Sequence, residues 1–157
     1  MKAFFQFILA MVLAFIPGAI GIMFTPRGAS DLWYNALEKS MLTPDGWVFG
    51  VAWTILYFLL GLALFLVIRN TKARQSKVTA YLLFLGQMAL NALWSYLFFG
   101  LHMAGAALIV LVGLIIVSAF MMRAFRPFNR WAGYLVWPYI IWMIFATYLN
   151  VMIIWLN

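Results

Sequence analysis

Five long apolar stretches follow one another along the chain, and nearly every charged residue lies between them. They run over Ala3–Phe24, Trp47–Ile68, Val78–Phe99, Met103–Met122 and Trp131–Leu156. A helix of about 20 apolar residues spans the ~30 Å hydrocarbon core of a bilayer. In lipid, only helices and closed barrels pair all backbone hydrogen-bonding groups, and these stretches lack the apolar–polar alternation of barrel strands. The pattern predicts an all-α membrane protein, a five-transmembrane-helix bundle forming a single domain over residues 1–157.

Composition agrees with this prediction. Hydrophobic residues make up 68% of the chain and charged residues 8%, too few to cover the surface of a soluble domain. Lys2 and the first stretch resemble a signal peptide, but the run is long and has no small-residue cleavage site. We therefore interpret it as a retained helix. The absence of cysteine excludes disulfides, thiolate metal sites and a cysteine nucleophile.

The basic residues are distributed unequally between the two ends of the predicted helices. Eight lie on the side of the N-terminus: Lys2, Arg69, Lys72, Arg74, Lys77, Arg123, Arg126 and Arg130. The other side has two, together with all three acids: Arg27, Lys39, Asp31, Glu38 and Asp45. The positive-inside rule then predicts a cytoplasmic N-terminus. Charges at helix ends indicate orientation and contact with anionic membrane lipid, and they argue against a nucleic-acid partner.

Asp, Glu, Lys and Arg are missing from the apolar stretches. This argues against a proton-coupled pump, which needs such a residue at depth. The sole histidine, His102, lies in the predicted turn before the fourth helix, where a surface or capping role is more typical than metal or haem ligation. No triad, carboxylate pair or metal cluster can be assembled, so we predict no metal site and identify no catalytic residue.

Neutral polar residues at membrane depth form a row on the third helix. Gln87, Asn91 and Ser95 recur every four residues and share one face, which we expect to point inward. Rings and one more amide recur on the neighbours: Phe49, Trp53 and Tyr57 on the second helix, Trp142, Ala146 and Asn150 on the fifth. Two interpretations remain open: interhelical hydrogen bonds with aromatic filling, or a pocket for a flat, largely apolar ligand.

Small residues recur every four positions on the first helix, at Ala10, Ala14 and Gly18. They permit close helix approach, either within the molecule or at a dimer seam. Pro17 is expected to kink this helix because it lacks a backbone donor.

The first loop, Thr25–Pro44, is too long for a simple connection. We expect a short helix capped by Ser30 and beginning at Asp31. Its apolar stripe would comprise Leu32, Trp33, Ala36 and Leu37. The segment is either a lid or an interfacial helix on headgroups. Thr43 and Pro44 predict the cap and first position of the next helix.

Several motifs then resemble one family. They are Trp33–Lys39, Thr43–Pro44, Trp47–Tyr57, Gln87–Ser95 with Phe98 and Phe99, Trp137–Tyr139, Trp142 and Phe145–Asn150. In this order they resemble the TspO/MBR family, that of the translocator protein or peripheral benzodiazepine receptor. The resemblance implies a five-helix membrane protein, usually a homodimer, that binds tetrapyrroles such as protoporphyrin IX or drug-like apolar ligands and requires no cofactor. Mammalian members also bind cholesterol.

The resemblance further implies a pocket among the helices, closed by the first loop. Its lining would comprise Tyr34, Pro44, Phe49, Trp53, Gln87, Asn91, Trp94, Trp142 and Ala146. Where the family often has prolines, this chain has Ser40 and Asp45, so we expect a less rigid lid. No base follows Arg130, so the tail lacks the mammalian sterol motif, whereas Arg130, Tyr134 and Val136 fit only its reversed form, a weak pattern. A bacterial cell membrane is the expected location.

The implied function is that of a tetrapyrrole sensor or carrier. An enzyme that degrades bound porphyrin with light or oxygen is the alternative, with Trp53 and Trp142 as its oxidisable rings. A structural partner of another membrane protein is a third possibility.

Overall fold

The computed structural model describes residues 1–25, 32–70 and 76–157. Its helices are α1 (Lys2–Gly21), α2 (Leu32–Ala36), α3 (Gly46–Arg69), α4 (Val78–Ser95), α5 (Ala104–Phe125), α6 (Arg130–Tyr134) and α7 (Trp137–Leu156). A π-helical turn, Tyr96–Gly100, continues α4. Within these described ranges, five helical spans are long and apolar enough to cross a membrane, the last formed by α6 and α7 together. The predicted five-helix bundle is therefore confirmed.

The long helices form a closed ring in the order α1, α3, α7, α5, α4. The contact between α3 and α7 is sparser than those between the other neighbours. At this seam an apolar groove of about 350 Å³ is lined by Ala52, Ile55, Leu56, Pro138, Ile141 and Trp142. The ring therefore has one loosely packed side, which carries a predicted pocket residue, Trp142.

Small residues bring α1 against α3, so the predicted stripe is used within the molecule. Ala10 and Ala14 are fully buried, and a Cβ built on Gly18 would lie 2.6 Å from Cε2 of Tyr57. A Cβ on Gly61 would lie 2.8 Å from the sulfur of Met11. Both contacts leave no room for a side chain on the glycine.

The fifth predicted span is interrupted. It divides into α6 and α7 because Pro138 has no N–H to donate to the carbonyl of Tyr134, so the first helix ends there and the second begins at Trp137. The fourth span is longer than expected and ends at Phe125, whereas the first ends at Gly21 rather than Phe24. Pro17 lies buried inside α1, which continues through it.

The start of α3 corrects a further prediction. Thr43 is not its cap and Pro44 is not its first residue, because the helix begins at Gly46 with the extended residue Asp45 at the N-cap. The Thr43 N–H instead donates to the Ser40 carbonyl at 2.9 Å, so Ser40–Thr43 closes a turn before the helix. The proposed Ser30 cap at Asp31 lies outside the described residues.

Candidate functional site

Three buried polar side chains cross the interior of the bundle, and we call them the floor: Tyr57, Asn91 and Tyr139. The Tyr57 hydroxyl donates to Asn91 Oδ1 at 2.8 Å, and Asn91 Nδ2 donates to the Tyr139 hydroxyl at 2.9 Å. Asn91 is 1% exposed and Tyr139 0%. The floor thus joins α3, α4 and α7 at membrane depth. Its hydrogen bonds use both Oδ1 and Nδ2 of Asn91.

The other polar residues of the predicted row also face inward, as expected. Gln87, one turn before Asn91, is fully buried, and within the described chain neither atom of its amide has a hydrogen-bond partner. Ser95, one turn after, is 8% exposed. An unpaired buried amide costs about 1–3 kcal/mol. Gln87 therefore keeps donor and acceptor capacity that Asn91 has used.

Aromatic rings surround the floor. Trp53 stacks on Tyr57 with ring centroids 5.3 Å apart, and its edge meets Tyr139 at 6.3 Å. Nearer the start of α3, Phe49 meets Trp142 at 5.9 Å, across the loosely packed seam. These rings offer flat apolar surface beside the amides, which suits a planar apolar molecule.

A second aromatic cluster lies at the end of the bundle that holds the first loop. Trp94 stacks on Phe98 at 5.3 Å, and its indole N–H donates to Asn150 Oδ1 at 3.4 Å. Asn150 Nδ2 donates in turn to the Ala104 carbonyl at 2.8 Å. This bonding fixes Trp94 between α4 and α7 and uses its polar atom.

The first loop packs on this second cluster, and we call its described part before α3, residues 32–44, the roof. Trp33 stacks on His102 with centroids 4.1 Å apart and meets the edge of Phe98 at 5.6 Å. Tyr34 meets Phe99 at 5.7 Å, and burial raises the pKa of the Tyr34 hydroxyl. The roof thus rests on rings of the bundle itself.

Hydrogen bonds hold the roof to α7. Asn157 accepts from the Glu38 N–H at 3.0 Å and donates to the Glu38 carbonyl at 3.1 Å. The hydroxyls of Ser40 and Tyr148 lie 2.8 Å apart. All of these groups are near the surface, so water competes for them.

Two details of the roof correct the sequence analysis. The expected stripe of α2 is only half right, because Leu32 is 82% exposed and Ala36 is exposed, whereas Trp33, Tyr34 and Leu37 contact the second cluster. His102 is exposed, as expected, and has a left-handed backbone with φ of 56°. That conformation ends the helix after the π turn and presents the imidazole to Trp33.

The predicted lining therefore falls into groups. Trp53 and Asn91 lie at the floor, with Gln87 one turn away. Phe49 and Trp142 contact each other at the seam. Trp94 belongs to the second cluster, and Tyr34 packs on that cluster from the roof. Ala146 is 9% exposed on α7, one turn from Trp142, and Pro44 is half-buried before α3. The lining list lacked Tyr57 and Tyr139; both occur in the motifs, but their hydrogen bonds depend on helix packing.

The comparisons with known proteins agree with this architecture. The TspO/MBR family model matches residues 8–156. The chain belongs to the TspO/MBR family. It is 38% identical over 151 residues to the tryptophan-rich protein TspO of Archaeoglobus fulgidus, covering 96% of each chain.

Two further TspO/MBR relatives carry other names. The chain is 38% identical over 134 residues to the tryptophan-rich sensory protein of Cereibacter sphaeroides, covering 85% of this chain and 80% of the relative. It is 34% identical over 125 residues to the human translocator protein, covering 79% and 74%. The family and the five apolar helices together establish a multi-pass membrane protein.

Proposed function

We propose that this protein binds a tetrapyrrole of the porphyrin class inside the bundle and acts as its sensor or carrier. The proposed pocket lies between the floor and the roof, beside the seam of α3 and α7. The observation that carries the proposal is the stacked Trp53–Tyr57 pair, since it combines planar apolar surface with an indole N–H that has no partner within the described ranges. A relative named as a sensory protein supports the same class of role.

Hydrogen bonding to the ligand is assigned to Trp53 rather than to Asn91 or Gln87, because Gln87 lies one turn before Asn91, on the side of the floor away from the roof. The Asn91 amide is used by two tyrosines, and the Trp94 indole by Asn150. The indole N–H of Trp53 has no partner within the described ranges. Trp53 is thus proposed to offer a ring face and a donor together.

Quenching of tryptophan fluorescence by protoporphyrin IX tests the proposal. Trp53→Phe keeps an aromatic ring but removes the N–H and the second ring of the indole, so we expect the Kd to rise by at least about three- to tenfold, the value of one hydrogen bond alone. Trp155→Phe is the matched control, because Trp155 is 82% exposed at the end of α7. Equal Kd values for the two variants and the unchanged protein would contradict the assignment.

Oxidative degradation of the bound porphyrin is the second candidate. It is favoured by the stacking of Trp53 on Tyr57, because two oxidisable rings then stand in contact. Illumination of the complex in air, followed by absorbance spectroscopy, distinguishes it from plain binding. A porphyrin product that forms with the unchanged protein and not with Trp53→Phe would select this candidate; an unchanged spectrum would reject it.

We also propose that the roof faces outward and the N-terminus inward, as the basic residues predict. The chain has no cysteine, so single cysteines can be introduced at Met41, which is fully exposed, and at Ser76, which is exposed before α4. An impermeant thiol reagent added to intact cells should label position 41. Preferential labelling of position 76 would reverse the orientation.

A further inference from the structure

The corner between α5 and α7 carries two adjacent rings flanked by two cations, which we call the basic corner: Arg126, Tyr134, Trp131 and Arg130. The Arg126 guanidinium carbon lies 5.4 Å from the Tyr134 ring centroid, and that of Arg130 lies 5.6 Å from Trp131. The two rings meet edge to face at 5.8 Å. Each guanidinium is therefore oriented by an aromatic neighbour.

The backbone of this corner fixes the arrangement. A Cβ built on Gly133 would overlap Cγ of Arg126, so the absence of a side chain there lets the arginine cross α6. Asn129 Oδ1 accepts from the Trp131 N–H at 2.8 Å and fixes the start of α6. Asn70 Nδ2 donates to the Phe128 carbonyl and joins the corner to α3. These hydrogen bonds thus fix the position of the turn that carries the two arginines.

No carboxylate of the described residues pairs with these arginines. The backbone of Glu38 is hydrogen-bonded to Asn157 at the opposite end of α7, and Asp45 precedes α3 on the same side, so both carboxylates are at the far end of the bundle. Trp131 and Tyr134 are 59% and 43% exposed at the boundary of the last span. Exposed aromatic residues at a helix end are typical of the headgroup level of a bilayer.

We propose that the basic corner is a binding site for the phosphate of an anionic phospholipid in the leaflet that it faces. Guanidinium groups present planar N–H pairs that match phosphate oxygens. The exposed rings lie where the glycerol and upper acyl chain would pass. This site is independent of the proposed porphyrin pocket, because the floor and roof contain none of its residues.

A lipid preference measured in detergent tests the site. Phosphatidylglycerol or phosphatidylcholine is titrated into the purified protein, and the concentration giving half the maximal rise in Tm is recorded for each. The ratio of the two concentrations is the preference for the anionic lipid. Arg126→Gln with Arg130→Gln should lower this preference about tenfold or more, since both guanidinium groups that would bind the lipid phosphate are then lost.

The matched control is Arg69→Gln with Arg123→Gln, which removes the same charge from exposed residues on the same side. We expect its preference for the anionic lipid to fall at most about threefold, because the removed charges contribute only nonspecific electrostatic attraction to anionic headgroups. Equal losses in the two double variants would overturn the proposal. A Tm without added lipid equal to that of the unchanged protein confirms that both variants are folded.

Two further arms keep the test decisive. Arg126→Lys with Arg130→Lys retains the charge but loses the planar fork, so we expect a loss of about threefold; full retention would overturn the claim of a built guanidinium site. Inorganic phosphate at millimolar concentration should leave the Tm unchanged. A rise equal to that given by phosphatidylglycerol would assign the corner to a soluble anion and contradict a lipid site.

Discussion

The floor and the roof are held by different kinds of contact. The floor consists of side-chain hydrogen bonds buried among three helices, whereas the roof is held by ring stacking and by hydrogen bonds near the surface. A buried hydroxyl that loses its partner cannot turn to water, but an exposed one can. We therefore expect the floor to determine stability and the roof to determine how quickly a ligand leaves.

Asn91→Leu should give the largest effect on stability. It removes both floor hydrogen bonds and leaves the hydroxyls of Tyr57 and Tyr139 unpaired at depth. With about 0.6–1.7 kcal/mol per interhelical bond and an added cost for the orphaned groups, we expect a loss of about 2–4 kcal/mol. Thermal unfolding in detergent measures it. Tyr57→Phe removes one of the two bonds and should lose less; an unchanged Tm for Asn91→Leu would remove the floor from the account.

Trp33→Ala should act on kinetics instead. It removes the stack on His102 and the contact with Phe98, which hold the roof down. We expect porphyrin dissociation to accelerate about tenfold or more, with a small change in Tm, because loop opening limits exit. Stopped-flow quenching in detergent measures the rate, and Leu32→Ala is the control because Leu32 is exposed. An interfacial helix that only rests on headgroups would leave the detergent off-rate unchanged.

Gln87→Met separates the two amides of α4. Because Gln87 has no hydrogen-bond partner among the described residues, an apolar side chain of similar length should leave the Tm equal or higher. The porphyrin Kd should be unchanged, because Gln87 lies one turn before Asn91, on the side of the floor away from the roof. A rise in Kd of about threefold or more would place Gln87 against the ligand and contradict a pocket on the roof side of the floor.

Introducing proline at Ser40 or Asp45, where the family often has it, should give the smallest effect on porphyrin dissociation. Asp45 has φ of −60° and ψ of 150°, values that proline adopts, so Asp45→Pro should stiffen the roof and slow porphyrin dissociation about twofold. Ser40→Pro should do the opposite, because it removes the hydroxyl that bonds to Tyr148. Off-rates from the same stopped-flow experiment test both, and identical effects of the two prolines would contradict this difference.

The sequence was sufficient for the five spans and for the inward face of Gln87, Asn91 and Ser95. Both follow from the high cost of polar groups in lipid, which leaves few alternatives. The partners of those residues could not be predicted, because a periodic row indicates a face but not which tyrosine on another helix meets it. The Tyr57–Asn91–Tyr139 chain needed the packing of three helices.

Local errors occurred where single backbone hydrogen bonds decide the structure. The π turn depends on the Leu101 N–H donating to the Tyr96 carbonyl at 2.9 Å, a shift that apolar periodicity does not reveal. The division of the last span follows from Pro138, whose missing donor is visible in the sequence, although the long apolar run of the span predicts one continuous helix. The contacts of the roof depend on distant residues, His102 and Asn157, with no local signal.

The affinity of protoporphyrin IX for Ala146→Phe tests the central claim, a ligand between floor and roof, most directly. Ala146 is 9% exposed on the inner side of α7, whereas Ala89 is exposed on α4, so Ala89→Phe adds the same ring outside the bundle. We predict at least a tenfold rise in Kd for Ala146→Phe and an unchanged Kd for Ala89→Phe, because an added ring competes for the ligand's volume. Equal affinities for both variants, with both folded by thermal unfolding, would contradict a binding site in this interior.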